Sequence, residues 1–461
     1  MRETKLESNP EHTKAQWGNS FGYIMVAAGA AIGLGNIWRF PYLAYAGGGG
    51  AFLVAYIILS VVFGYPIVKM ESTVGRYGKS NAAADYGSVN KKFRFVGAVN
   101  ILCEFFVGVF YIVVSGWVLK YLVAFATGVD FGTDPSTFFD RHIEKAVSPN
   151  IYAGIVMVLV VFLLFSGITE LVEKVSKVIM PALLFILLAC AVWALIKIPG
   201  AAKGLRYYLV PDFHDFTWKV FADVCSQVMF SVGIGCGIYS TLGASIPESH
   251  NIKKDSLMVI FCDTMVAFVA GLLVIPSVVG SGMEMTSGKA LVFEAMTMIF
   301  GNLPGGRAVG TLFFAALFFA VISTYVTVIE IPTVYVQEIL KTTHKKALVV
   351  TSSVVYFLSI FVSLGFGALK NVKLPWPFAT GIQMYDFYDW LDCFTGYFLM
   401  PLGCLLICFF TVKVWGMDRY GKELLQDGRD GKITWYDKFS ACVICPVILV
   451  IVLLNVFGFI K

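Results

Sequence analysis

The sequence predicts an all-α integral membrane protein of about eleven transmembrane helices, arranged as two inverted five-helix repeats plus one extra helix. Three observations carry this. Of 461 residues, 58% are hydrophobic and 14% charged, and the mean hydropathy of +0.77 lies outside the soluble range. Apolar runs of roughly 18 to 25 residues, the length that crosses a ~30 Å hydrocarbon core, recur along the chain. The first and sixth of these runs are interrupted by glycine. Paired interrupted segments at corresponding positions of two halves mark the binding site of a transporter.

The spans fall near 21–45, 51–72, 95–125, 151–167, 172–196, 218–246, 256–279, 308–340, 347–366, 384–414 and 436–459. They compose one domain over 1–461: an N-terminal segment at 1–20, a first repeat at 21–196, a second at 218–414 and the eleventh helix at 436–459. Met1 to Gln16 is polar and lacks the apolar region of a cleavable signal peptide. Arg76, Lys79, Lys91, Lys92 and Arg94 follow the second helix, and Lys253, Lys254, Lys341, Lys345 and Lys346 fall in later loops of the same side. By the positive-inside rule that side is cytoplasmic, together with the N-terminus. An odd helix count then leaves the C-terminus outside. The formal charge of +5 reflects this topology and implies no nucleic-acid partner; the partner is membrane lipid.

Most of the ten cysteines lie within apolar spans. Cys442 and Cys445 form a CxxC without neighbouring His or Cys clusters, so no metal or redox centre is expected. No N-x-Ser/Thr acceptor occurs, and a multi-pass protein of a bacterial inner (cell) membrane is expected.

Residues 27–41 read AAGAAIGLGNIWRFP. Each glycine costs ~1 kcal/mol relative to alanine in a helix, so this span can unwind. Carbonyls freed by unwinding survive in a membrane only where they are buried in protein or line a cavity. Close helix packing would account for the glycines, but not for Asn36 and Arg39, because intramembrane polar groups are expensive and usually functional.

The second break, QVMFSVGIGCG at 227–237, places Gly233, Gly235 and Gly237 after Gln227 and Ser231. Such breaks coordinate a small hard cation through freed carbonyls and the negative ends of half-helices. The eighth span supplies hydroxyls at Ser323 and Thr324, beyond Ala320; alone, such hydroxyls more often bond the carbonyl one turn back. The seventh span holds Asp263, whose carboxylate must meet a cation, a hydrogen-bond donor or a proton.

GLGNIWRFP, the following GGGGAF and the later GRYGK resemble the first two helices of the neurotransmitter:sodium symporter family, bacterial amino-acid branch. The resemblance runs from Trp17 to the eleventh helix. It implies two sodium sites. The first would use Ala31, Asn36, Ser231, the substrate carboxylate and one residue of the seventh helix. Counting back from Gly271 places Asp263 there; counting back from Pro276 places Cys262. The second would use Gly29, Ile32, Ala320, Ser323 and Thr324. A fixed carboxylate at Asp263 replaces the bound anion of chloride-dependent relatives, so chloride independence is expected.

Monoamine transporters carry an Asp where this chain has Gly33, so the resemblance implies a zwitterionic amino acid bringing its own carboxylate. Tyr111 matches the family tyrosine that donates to that carboxylate, and Ala31, Gly33 and Gly35 supply the unwound backbone. Val107, Phe230, Ser231, Gly233, Cys236 and Val328 would line the substrate pocket. Gly233 replaces a serine of the leucine-specific pattern and leaves room for aromatic side chains.

The resemblance pairs Arg39 with Asp392, or with Asp389 one turn earlier, in an outer gate with Tyr111 and Phe230. It pairs Lys14 with Glu338 in an inner gate that lysine makes looser than arginine would. Leu171 stands where many relatives have a glycine ten residues before the proline, here Pro181, which weakens the expectation of local unwinding in the fifth helix.

The expected function is sodium-coupled import of hydrophobic or aromatic L-amino acids by alternating access, with two sodium ions and no chloride. A same-fold symporter for glycine or proline is the nearest alternative. A membrane enzyme is disfavoured because HExxH and GxSxG are absent from the sequence. A sodium-gated channel would fail to concentrate substrate.

Overall fold

The computed structural model describes residues 16–132, 135–165, 171–214, 216–283, 290–376, 383–426 and 433–459. Eight of its helices are individually long and apolar enough to cross a bilayer: α2 (Gly50–Gly78), α3 (Lys91–Thr127), α5 (Glu173–Lys197), α7 (Ile252–Gly280), α8 (Gly306–Leu340), α9 (His344–Leu364), α10 (Phe387–Leu424) and α11 (Trp435–Val456). A bent helix, α1, adds Ser20–Ala31 and Gly35–Ala46, and α4 (Ser148–Leu164) follows the short helix Pro135–Ile143. The broken α6, Trp218–Val232 and Ile238–Gly243, completes eleven.

α3, at 37 residues, and α8, at 35, would each measure about 50–55 Å at the usual helical rise. That exceeds the hydrocarbon thickness, so these helices tilt or project beyond it. They pack together along their lengths; α8 packs against both broken helices, and α3 reaches the breaks through Tyr111 and Cys103, which places the breaks inside the molecule.

α2 and α10 run past the expected ends at 72 and 414, to Gly78 and Leu424. The extensions are tied by an ion pair, Arg76 Nε lying 3.0 Å from Glu423 Oε1, beside buried Val74, Tyr420 and Leu424. Nearby, Asp437 of α11 meets Lys69 of α2 and, at 2.8 Å, Lys253 of α7. These contacts close the face bearing the Lys/Arg-rich loops, called the basic face below. On the opposite face an antiparallel hairpin, β1 (Leu374–Trp376) with β2 (Gln383–Tyr385), links α9 to α10; the sequence reading did not anticipate it. α5 is helical from Glu173 through Pro181.

Candidate functional site

Both expected breaks are present. The halves of α1 diverge by 59° about Ile32–Leu34. In α6 the helix stops at Gly233 and resumes at Ile238, with Gly233, Gly235 and Gly237 at φ of +73°, +82° and +77°. An alternating run of left-handed residues strongly favours glycine, so this spacing specifies the break. Glu71 of α2, fully buried, accepts the Gly235 N–H at 2.7 Å and holds the unwound segment in place.

Around the break in α1 the structure brings together Asn36, Ser231 and Asp263, all completely buried. The Asn36 side-chain amide donates to Ser231 Oγ at 2.8 Å and to Asp263 Oδ1 at 2.7 Å, while its Oδ1 accepts the Gly33 N–H at 3.1 Å. Ser231 Oγ lies 3.2 and 3.0 Å from the two Asp263 oxygens. Of the two register choices for α7, Asp263 enters this cluster, whereas Cys262 is partly exposed. Tyr56 of α2 completes it, its hydroxyl 3.0 Å from Asp263 Oδ2 and 2.9 Å from Ser231 Oγ. Sequence reading missed Tyr56, because one tyrosine in an apolar helix reads as packing. Glu71 was the better signal, since an acid near the end of an apolar run is costly.

The five residues expected at a second cation site also converge. Thr324 Oγ1 donates to the Gly29 and Ile32 carbonyls at 3.1 and 3.0 Å, and Ser323 Oγ to the Ala320 carbonyl at 2.9 Å. The Gly29 and Ile32 carbonyls lie at the end of the first half of α1 and carry the negative end of its dipole. Hydroxyls and carbonyls clustered in this way form an all-oxygen donor set suited to a hard cation.

Tyr111 of α3 faces the same break. Its hydroxyl accepts the Leu34 N–H at 3.2 Å, and its ring stacks on Tyr325 at 6.0 Å. A Cβ on Gly33 would lie 2.7 Å from that hydroxyl, and one on Gly35 would lie 2.8 Å from the Phe230 ring. Val107 and Val328 are buried, with Val328 packed against Gly108. The Cys236 thiol sits 3.7 Å from that of Cys103.

The expected outer-gate residues line one cavity. The Arg39 guanidinium turns to α6, donating to Gln227 Oε1 at 2.7 Å and Ser226 Oγ at 3.0 Å, and lies over the Phe230 ring at 5.1 Å. Asp392 and Asp389 line the same 320 Å³ cavity as Arg39, Tyr111 and Phe230. The Arg39 charge also acts on Asp392. The Glu338 carboxylate, at the end of α8, meets Arg94 near the start of α3 at 2.7 Å and the Asn81 amide; Lys14, its expected partner, lies outside the described residues. The basic face is closed by Trp17, whose indole donates to the Leu242 carbonyl at 3.0 Å.

Comparison with known proteins agrees with this fold. The chain is 31% identical over 457 residues to a sodium-dependent transporter of Haemophilus influenzae, covering 96% of this chain and 98% of that one. It is 29% identical to one of Bacillus subtilis, covering 97% and 99%. The crystal structure of MhsT in complex with L-phenylalanine superposes with a TM-score of 0.87 at 29% identity, covering 96% of this chain and all of that one. The protein is a sodium-dependent membrane transporter, not an enzyme. Residues 14–133 and 136–460 match the family model, and the chain belongs to the sodium:neurotransmitter symporter family.

Proposed function

We propose that the protein imports hydrophobic and aromatic L-amino acids, coupled to two sodium ions and independent of chloride. The observation that carries this reading is the buried Asp263 carboxylate, hydrogen-bonded by Asn36, Ser231 and Tyr56 with no basic side chain in the cluster. A fixed negative charge there balances a sodium ion held by Ala31, Asn36, Ser231 and Asp263. As arranged, the Asn36 NH2 faces the carboxylate. Rotation of the amide presents its oxygen instead, so cation entry exchanges a hydrogen bond for a ligand. Gly29, Ile32, Ala320, Ser323 and Thr324 hold the second ion.

The substrate joins its carboxylate to the first sodium ion, to the Tyr111 hydroxyl and to the unwound backbone at Ala31, Gly33 and Gly35. Coupling follows, because cation and substrate are then each other's ligands. Val107, Phe230, Ser231, Gly233, Cys236 and Val328 surround the remainder. Gly233 adds no side chain to the wall, and the structural neighbour holds phenylalanine, which supports a large apolar side chain. Entry is through the cavity beneath Arg39 and Asp392, and exit requires opening at Trp17. The bundle containing α1 and α6 rocks about the site, within a chain of two five-helix halves, 21–196 and 218–414, in a bacterial inner membrane, with the basic face and the N-terminus cytoplasmic and the C-terminus outside.

The test is uptake of labelled phenylalanine, tyrosine, tryptophan and leucine into proteoliposomes under an inward sodium gradient, with chloride replaced by gluconate. Concentrative uptake that persists in gluconate and is lost in potassium is expected. A chloride requirement overturns the role given to Asp263, and absence of amino-acid accumulation overturns the substrate class.

A further inference from the structure

Glu104, Val107, Gly108 and Tyr111 follow one another at i, i+3, i+4 and i+7, and so share one face of α3. Tyr111 meets the break in α1 and Gly108 packs on Val328 of α8. Glu104 reaches the break in α6 beside Cys236, whose thiol lies 3.7 Å from that of Cys103. Only 2% of Glu104 is exposed. The one other charged group acting on it is a second buried carboxyl, Glu71, whose Oε1 is already taken by the Gly235 amide. Among the described residues no lysine, arginine or histidine compensates Glu104.

A thiol is a weak donor, and a poorly partnered carboxyl in a membrane interior costs several kcal/mol. Packing does not call for it, since leucine or methionine would fill the same volume. What a carboxyl adds there is a strong acceptor, two helical turns or about 10 Å along the axis from Tyr111. That separation is of the order of the length of an extended aromatic amino acid.

We propose that Glu104 recognises the far end of the substrate's side chain, accepting a hydrogen bond from a donor carried there. The transporter then selects side chains that end in a donor, such as the tyrosine phenol or the tryptophan indole N–H, over phenylalanine and leucine. This rests on the amino-acid reading above, with the carboxylate held at the Tyr111 end. It assigns specificity to a residue outside the apolar wall.

Competition against labelled phenylalanine uptake tests it, using proteoliposomes of the full chain, Glu104→Gln and Glu104→Leu. The readout is the ratio of half-inhibiting concentrations for tyrosine and phenylalanine, not absolute uptake. In the unsubstituted protein tyrosine and tryptophan should compete about tenfold more strongly than phenylalanine, the effect of one additional buried hydrogen bond. Glu104→Leu should bring the ratio to about one, and Glu104→Gln, which keeps an acceptor oxygen, should fall between. Where Glu104→Leu fails to reach the membrane, the Glu104→Gln ratio decides. Equal competition in the unsubstituted protein, or a ratio that neither substitution moves, overturns the inference while leaving amino-acid transport in place. Failure of every amino acid to accumulate instead removes the underlying reading, a distinct outcome.

Discussion

Asn36 and Asp263, 227 positions apart, meet through Nδ2 and Oδ1 at 2.7 Å inside the protein. The contact joins the unwound part of α1 to α7, so any movement of α1 is felt by a buried carboxylate. Asp263→Asn keeps the shape and removes the charge. In gluconate its sodium-driven uptake should fall at least tenfold, and chloride should restore part of it by supplying a mobile negative charge. Uptake that is equal to the unsubstituted protein's in gluconate would refute this role.

Thr324 bridges the Gly29 and Ile32 carbonyls with a single hydroxyl. Thr324→Val is close to isosteric and removes only that oxygen. The sodium concentration for half-maximal uptake should rise about tenfold or more, with the Hill coefficient approaching one as the second ion is lost. Sodium titration of uptake reads both quantities.

Gly33 has no room for a side chain, because a Cβ would lie 2.7 Å from the Tyr111 hydroxyl and 3.0 Å from Thr324 Oγ1. Gly33→Ala therefore pushes α1 away from α3 and α8 at the point where the substrate carboxylate is expected. Uptake should drop by more than tenfold while the purified protein keeps its helical circular dichroism. Full activity in this variant would show that the two helices do not need so close an approach.

The helices were legible because apolar length is a strong signal, and the breaks because the glycines at 29, 33 and 35 and at 233, 235 and 237 accompany Asn36, Arg39 and Gln227, polar groups that close helix packing does not explain. The partners Asn36, Ser231 and Asp263 were legible as polar residues in apolar runs. The α7 register was not, because two landmark residues gave answers one position apart; in three dimensions it is Asp263 that meets Asn36 and Ser231. Arg39 shows the larger limit. Sequence identifies a charged group that needs partners, but not that Gln227 and Ser226 are among them, because that depends on how the two broken helices pack.

His250, in the link between α6 and α7, gives a pH prediction from a group beyond the membrane spans. Its carbonyl accepts Arg76 Nη1 at 3.1 Å, and its Nδ1 lies 3.7 Å from Asp255 Oδ2. Burial, and then the Arg76 guanidinium, hold the imidazole below its ordinary pKa. A histidine depressed in the folded state is protonated first in the unfolded chain, near pH 6.5. Its contribution to stability is therefore complete above that pH and is lost as pH falls towards and through the folded value. The Tm of the detergent-solubilised protein should decline between about pH 7 and 5, and His250→Gln should flatten that decline. An unchanged slope in His250→Gln would assign the acid sensitivity to other groups and leave the Arg76 contact as a purely backbone tie.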